Sequence, residues 1–189
     1  MMLKRLVDFI FSLLLLVVIS PLFLLIMLLI KLDSRGPIFF RQRRIGKDNR
    51  EFMMYKFRSM RADTPRDVPT HLFHNPEDYV TRSGRVLRKT SLDELPQLLN
   101  ILKGEMSFIG PRPALYNQED LIELRTERGI HRLTPGVTGW AQVNGRDDVS
   151  IEEKVNLDEY YYKNRSLGME LKIVLQTFSS VVSSKGIRM

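Results

Sequence analysis

Residues 9–30 read FIFSLLLLVVISPLFLLIMLLI, and how that stretch sits decides the fold. It is apolar except for Ser12, Ser20 and Pro21. About 22 residues at roughly 1.5 Å each reach across a hydrocarbon core. Length alone therefore favours a spanning anchor. The stretch is too long for a signal peptide, and no small-residue cleavage site follows it. Charge argues differently. Lys4 and Arg5 precede it, and Lys31, Arg35, Arg41, Arg43 and Arg44 follow it. Positive residues prefer the cytoplasmic side, so both flanks want the same face. Pro21 lacks an N–H and kinks a helix near its middle. Ser20 can bond back to the backbone that Pro21 frees. A helix that dips in and returns satisfies both flanks. On these residues alone the spanning and re-entrant readings stay equally open. Asp8 falls near the entry, within reach of interfacial water.

The whole chain has 189 residues, a net charge of +7 and a pI near 9.8. That allows one compact domain at residues 37–189 behind a membrane segment at 1–36, and it calls for anionic partners. Anionic lipid, nucleotide-like substrates and nucleic acid all fit. No zinc finger or aromatic-interleaved basic patch speaks for nucleic acid, so none is expected. There is no cysteine, hence no disulfide and no thiolate metal site. Standard phosphate loops are absent, as is an Asp-x-Asp pair. His71 and His74 read as loop residues for want of a third ligand.

Chemistry concentrates in residues 90–113, TSLDELPQLLNILKGEMSFIGPRP. Ser91 and Glu94 have capping-box spacing, so a helix is expected to start at Ser91. Leu95, Leu98, Leu99 and Leu102 would give it a buried stripe. Asp93 and Glu94 are adjacent carboxylates at that start. The plain reading is that they complement the helix dipole, worth roughly 0.3–1 kcal/mol each. The surrounding cations argue for more: Arg82, Arg85, Arg88, Lys89, Lys103 and Arg112 flank the pair. Two carboxylates among such charges make a magnesium or phosphate site.

Elsewhere, residues 37–44 and 51–58 read as two strands joined by the turn residues 45–50. Residues 63–78 read as a proline-broken loop. Residues 114–128 form a charged helix that Gly129 ends. Residues 133–148 read as glycine-rich and irregular. Ser150 and Glu153 make a second capping box, opening a helix through Tyr162. A last helix at 169–183 carries Leu171, Val174, Leu175, Phe178, Val181 and Val182 on one side. That stripe suits a core or a bilayer surface. The expected class is α+β and mainly helical: a re-entrant membrane helix, a small β-hairpin and interfacial amphipathic helices around one catalytic domain.

Several segments together resemble one family. They are Lys4-Arg5, Ser20-Pro21, residues 55–60 (YKFRSM), 91–97 (SLDELPQ), 104–113 (GEMSFIGPRP), 135–139 (PGVTG) and 141–146 (AQVNGR). In this order the chain resembles the bacterial sugar transferases, small monotopic phosphoglycosyl transferases acting on polyprenyl phosphate. The resemblance implies transfer of sugar-1-phosphate from a UDP-sugar to a polyprenyl phosphate such as undecaprenyl phosphate. UMP is released, and a surface glycan (exopolysaccharide or capsule) is begun. It implies a re-entrant helix broken at Ser20-Pro21, with Lys4 and Arg5 at the membrane surface. It implies Asp93 as nucleophile through an aspartyl-phosphosugar intermediate, and Mg2+ held by Asp93 and Glu94. Glu94 then helps hold magnesium or acts as general base; the sequence does not choose. Lys56, Arg58, Arg88, Arg112, Gln142, Arg146 and Asp158 are the expected substrate-binding residues. The expected place is the cytoplasmic face of a bacterial inner membrane. The rivals are a non-catalytic scaffold binding anionic lipid, which needs no paired carboxylates, and a CDP-alcohol type phosphotransferase, which needs several spans.

Overall fold

The computed structural model describes residues 2–64, 76–145 and 149–182. The loop histidines His71 and His74, and Arg146, lie outside the described residues.

The apolar stretch forms two helices, α1 (Met2–Val18) and α2 (Ser20–Asp33), bent by 64° at their junction. Among the described residues no single helix is long and apolar enough to cross a membrane; the bent pair passes that test together. The bend follows from the proline. Pro21 cannot donate to the carbonyl of Val17, and the Ser20 hydroxyl donates to that carbonyl instead, at 2.8 Å.

One side of each helix packs on the rest of the chain. Ile26 and Ile30 bury against Phe57 and Leu87, with Phe39 stacked on Phe57 and Phe23 tilted against it. Leu16 and Ile19 pack on a second cluster of Phe52, Met54, Leu98, Ile101 and Met106. The other sides stay bare: Val17, Val18, Leu24, Leu25 and Leu28 are all exposed. Asp8 is not at a wet entry as expected. It is buried, on the face of α1 shared with Lys4 and Ser12. That face turns toward the buried Tyr161, and the Asp8 charge reaches the phenol.

The hairpin is β1 (Phe39–Ile45) with β2 (Glu51–Phe57), antiparallel, Arg41 opposite Tyr55. Asp48 and Asn49 turn it in left-handed conformations that these two residue types tolerate. Helix α3 spans Arg82–Lys89 and α4 spans Gln97–Lys103. A second sheet was not foreseen: β3 (Ser107–Ile109) pairs in parallel with β4 (Gly136–Thr138). The segment read as irregular therefore holds a strand and a short helix, α6 (Trp140–Asn144). Its glycines allow the crossing. A Cβ at Gly110, Gly136 or Gly139 would come within 2.3, 2.1 and 2.1 Å of backbone atoms across it.

Helix α5 (Glu119–Glu127) ends at left-handed Gly129, as expected. Helix α7 (Ile151–Asn164) opens on the expected cap, the Ser150 hydroxyl accepting from the Glu153 N–H at 3.1 Å. Helix α8 (Leu167–Val182) follows. The expected stripe does not form core: Leu171, Leu175 and Phe178 are exposed and Val174 is half-buried, while Ile173, outside the stripe, is the residue that enters the core. The molecule is mainly helical α+β with two small sheets.

Candidate active site

Ser91 does not cap a helix. It sits in the left-handed region (φ 56°) as the residue that closes α3, and its side chain makes no cap bond. Its N–H reaches back to the Arg88 carbonyl at 3.2 Å. Leu92–Glu94 is one 3₁₀ turn, and α4 begins only after Pro96, the residue type suited to a helix entrance. Within α4 the buried positions are Gln97, Leu98, Asn100 and Ile101; of the expected leucine stripe only Leu98 is buried, while Leu95, Leu99 and Leu102 are half-buried.

This tight turn aims Asp93 and Glu94 at the hairpin. Lys56, inward on β2, places its Nζ 2.6 Å from Glu94 Oε1 and 4.0 Å from Asp93 Oδ2. Arg112 Nη2, from the turn after β3, lies 3.2 Å from the same Glu94 oxygen. The two carboxylates thus differ. Burial pushes Glu94 up, but Lys56 and Arg112 outweigh it and hold the carboxyl far below its usual range. Burial dominates for Asp93 and lifts it, helped by the neighbouring Glu94 charge and opposed by Lys56, Arg88 and Arg112. Asp93 accepts no hydrogen bond from any described residue. Glu94 is thus matched by two cations, while Asp93 stands beside it in an environment that favours its neutral form, a split of the kind that gives paired carboxylates different roles.

The other expected residues disperse. Arg88, at the end of α3, acts electrostatically on Asp93. Arg58 is buried at the end of α2, donating to the carbonyls of Ser34 (2.7 Å) and Arg35 (2.9 Å), so it caps that helix. Asp158 is no solvated helix residue. It is buried and takes two bonds from Arg125, at 2.6 and 3.1 Å. Gln142 lies beside the glycine crossing, its Nε2 3.4 Å from the Gly110 carbonyl. Lys4 and Arg5 do not stand free at a surface. Lys4 pairs with Glu170 at 3.0 Å, and Arg5 donates to the carbonyls of Ile101 and Leu102 at the end of α4.

Two residues that contact the Arg112 turn were not singled out by the sequence reading. Arg44 was counted with the membrane-flanking cations, yet it lies beside Arg112 and Glu94. Burial and Arg112 pull its pKa down to about 9. Period-two alternation from Lys56 across the hairpin was the available signal, since Gln42 and Arg44 share the Lys56 face. Arg125 had none, its partner lying 33 residues away.

Among the described residues no group of three or more His, Cys, Asp or Glu side chains gathers to hold a metal. Two hard carboxylates fit magnesium in its usual manner, completed by water and substrate phosphate.

A family model described as bacterial sugar transferase matches residues 1–184. The chain is 43% identical over 190 residues to an uncharacterized sugar transferase, EpsL, of Bacillus subtilis (strain 168), covering 100% of this chain and 91% of that protein. It is 42% identical to the exopolysaccharide production protein ExoY of Sinorhizobium fredii, over 97% of this chain and 87% of the relative. It is also 42% identical, over 93% of its length, to the UDP-glucose:undecaprenyl-phosphate glucose-1-phosphate transferase of Escherichia coli (strain K12). It spans 39% of that larger protein.

Proposed function

The chain belongs to the bacterial sugar transferase family, and from that premise we propose that it moves sugar-1-phosphate from a UDP-sugar to undecaprenyl or a similar polyprenyl phosphate. The observation that carries the reading is the unequal carboxylate pair: Glu94 tied to Lys56 and Arg112, and Asp93 beside it, 4.0 Å from Lys56 and with no hydrogen-bonded partner among the described residues. The reaction is two displacements. The Asp93 carboxylate attacks the sugar-side phosphorus, an O–P bond forms, and the bridging P–O bond to UMP breaks. A polyprenyl phosphate oxygen then attacks the same phosphorus. The bond to Asp93 breaks, the carboxylate is regenerated, and a polyprenyl diphosphate sugar leaves. Splitting the transfer this way suits a water-soluble donor and a membrane acceptor.

An anionic nucleophile is repelled by a diphosphate, so cations must screen it. Arg112 supplies a planar fork suited to phosphate oxygens, and the Arg88 charge also acts on Asp93. Lys56 keeps Glu94 ionised and lowers the cost of charging Asp93. Asp93 and Glu94 would hold magnesium, which supplies charge neutralisation to the diphosphate and its leaving oxygen.

The bent apolar pair is read as a re-entrant hairpin entering from the cytoplasmic face of a bacterial inner membrane. Both of its ends support this. Arg5 at the start of α1 bonds to α4, and Arg58 and Ser83 bond the end of α2. Both ends therefore attach to one unit, which supports entry and return on the same side of a bilayer. The exposed Leu171, Leu175 and Phe178 of α8 suit the same surface. The product would open the building of a surface glycan.

The test is incubation with a UDP-sugar panel, magnesium and undecaprenyl phosphate. UMP and a lipid-linked sugar diphosphate are expected, and chelation of magnesium should stop both. Release of UDP in place of UMP would mean an ordinary glycosyl transfer and end this reading.

A further inference from the structure

The turn that presents Arg112 is unusual in how it can be held. Pro111 and Pro113 have no N–H, so the segment from 111 to 114 is fixed chiefly through its carbonyls. Four successive carbonyls each take a different donor. Pro111 accepts from the Gly136 N–H at 2.9 Å, and Ala114 accepts from the Ile45 N–H at 2.9 Å. The middle two accept from side chains. Arg125 Nη1 donates to the Arg112 carbonyl at 2.8 Å, and Arg44 Nη1 donates to the Pro113 carbonyl at 3.0 Å.

The two arginines use the same grip. Arg125 puts Nε and Nη2 on one oxygen of Asp158, at 3.1 and 2.6 Å. Arg44 puts Nε and Nη2 on one oxygen of Gln42, at 3.2 and 2.7 Å. In each, the third nitrogen reaches the turn. Each guanidinium is thus locked by a buried anchor on its own side, Asp158 from α7 and Gln42 from β1. A planar fork with fixed donors can do this; an ammonium on a flexible stem cannot hold both partners at once.

We propose that Arg44 and Arg125 are positioning residues, gripping successive carbonyls of the Pro-Arg-Pro turn so that Arg112 faces the Asp93–Glu94 pair. Neither needs to touch substrate. A buried ion pair such as Arg125–Asp158 adds little net stability, because desolvation offsets its attraction. Its use here is geometric. The inference rests on the transferase reading for its kinetic consequence, and the displacement of Arg112 can be measured without it.

The experiment uses the full chain in lipid nanodiscs, with Arg125→Lys and Arg44→Lys, each alone and combined with Arg112→Lys. Arg125→Lys retains a cation for Asp158 and gives up the turn. Each single variant should lower kcat for UMP release about 10- to 100-fold, the scale of a reacting group misplaced by an ångström. Donor KM should change little. Each double variant should be no slower than Arg112→Lys alone, since the grip acts through Arg112. Penalties that multiply instead would overturn the proposal. So would a loss confined to donor KM, which would mark direct substrate contact. If Arg125→Lys does not fold, the Arg44→Lys cycle decides, because its anchor is neutral. A second readout needs no turnover: phenylglyoxal labelling mapped by mass spectrometry. Arg112 should label faster in both lysine variants, with the exposed Arg50 as the unchanged reference. An unchanged Arg112 rate would also sink the proposal. A parent chain that releases no UMP, yet shows the faster Arg112 labelling in its variants, would fault the transferase reading and leave the grip standing.

Discussion

Two clusters of charge meet at Arg112, one through its carbonyl and one through its side chain, and they are built to different rules. In Arg125–Asp158 the charges satisfy one another through two bonds, buried between α5 and α7. At Asp93–Glu94 the cations are shared unequally: Glu94 takes Lys56 and Arg112, and Asp93 is left 4.0 Å from Lys56. Complete pairing fixes a backbone; incomplete pairing leaves a carboxylate with reactivity to spend. If that contrast holds, activity and stability should separate cleanly between the two sites.

The largest effect should come from Asp93→Asn. UMP release should vanish, together with any sugar-phosphate adduct detected by mass spectrometry in the presence of donor alone. Stability should move the other way. Asp93 has a folded pKa raised above its unfolded value, chiefly by burial, so its ionisation costs stability once the pH exceeds the unfolded value. Asparagine removes that cost. At neutral pH the variant should melt no lower than the parent. Full turnover, or a clear drop in melting temperature, would erase the distinction between the clusters.

Asp158→Asn should show the converse. It strands a buried guanidinium, a loss of about 3–5 kcal/mol when one partner of a buried pair is removed. Burial pushes Asp158 up and Arg125 pulls it back. Denaturant unfolding should show the drop, while chains still folded at low temperature should retain some UMP release. Unchanged stability would mean the pair is not load-sharing in the fold.

Lys56→Met sharpens the comparison within the site. Lys56 is the nearest cation to both carboxylates, and it lowers both. Removing it should raise Asp93 further, so the acid limb of the rate against pH should move to higher pH. The rate on the plateau should fall less than in Asp93→Asn. An acid limb that stays in place would remove Lys56 from the control of Asp93.

The sequence made the reactive parts of this site legible and hid the parts that hold them. Asp93, Glu94 and Arg112 lie within one short stretch, so their motif could be read directly. The Ser150 cap and the Ser20 back-bond are equally local, and both formed. The Ser91 cap failed because a second local demand, closing α3, took that residue first. Strands β3 and β4 have three residues each, too few for a period, and exist only because glycines let them approach. Arg58, Lys4 and Arg5 looked like ligands for phosphate or lipid. Their partners are carbonyls and a carboxylate far along the chain, which no spacing rule displays. Positive charge was visible; what it would meet was not.

That last correction changes what the helix break should do, and it leads to the smallest effect. Pro21→Ala restores an N–H for the Val17 carbonyl, and a helix interior prefers Ala to Pro by about 3 kcal/mol. Straightening would draw Met2 away from the catalytic unit. Yet Arg5 makes two charged bonds to the end of α4, each worth roughly 1.5–3 kcal/mol, and Lys4 holds Glu170. The loss is at least as large as the gain, so Pro21→Ala alone should shift only a minor part of the population. Adding Arg5→Ala should shift most of it. Impermeant labelling of a cysteine introduced at position 2, in intact cells against lysed ones, reads the fraction directly. Complete outward display of that position in Pro21→Ala alone would show that the anchors hold nothing. Outward display in the natural sequence would remove the re-entrant hairpin itself, and with it the reason for both ends of the apolar pair to be tied to the same unit.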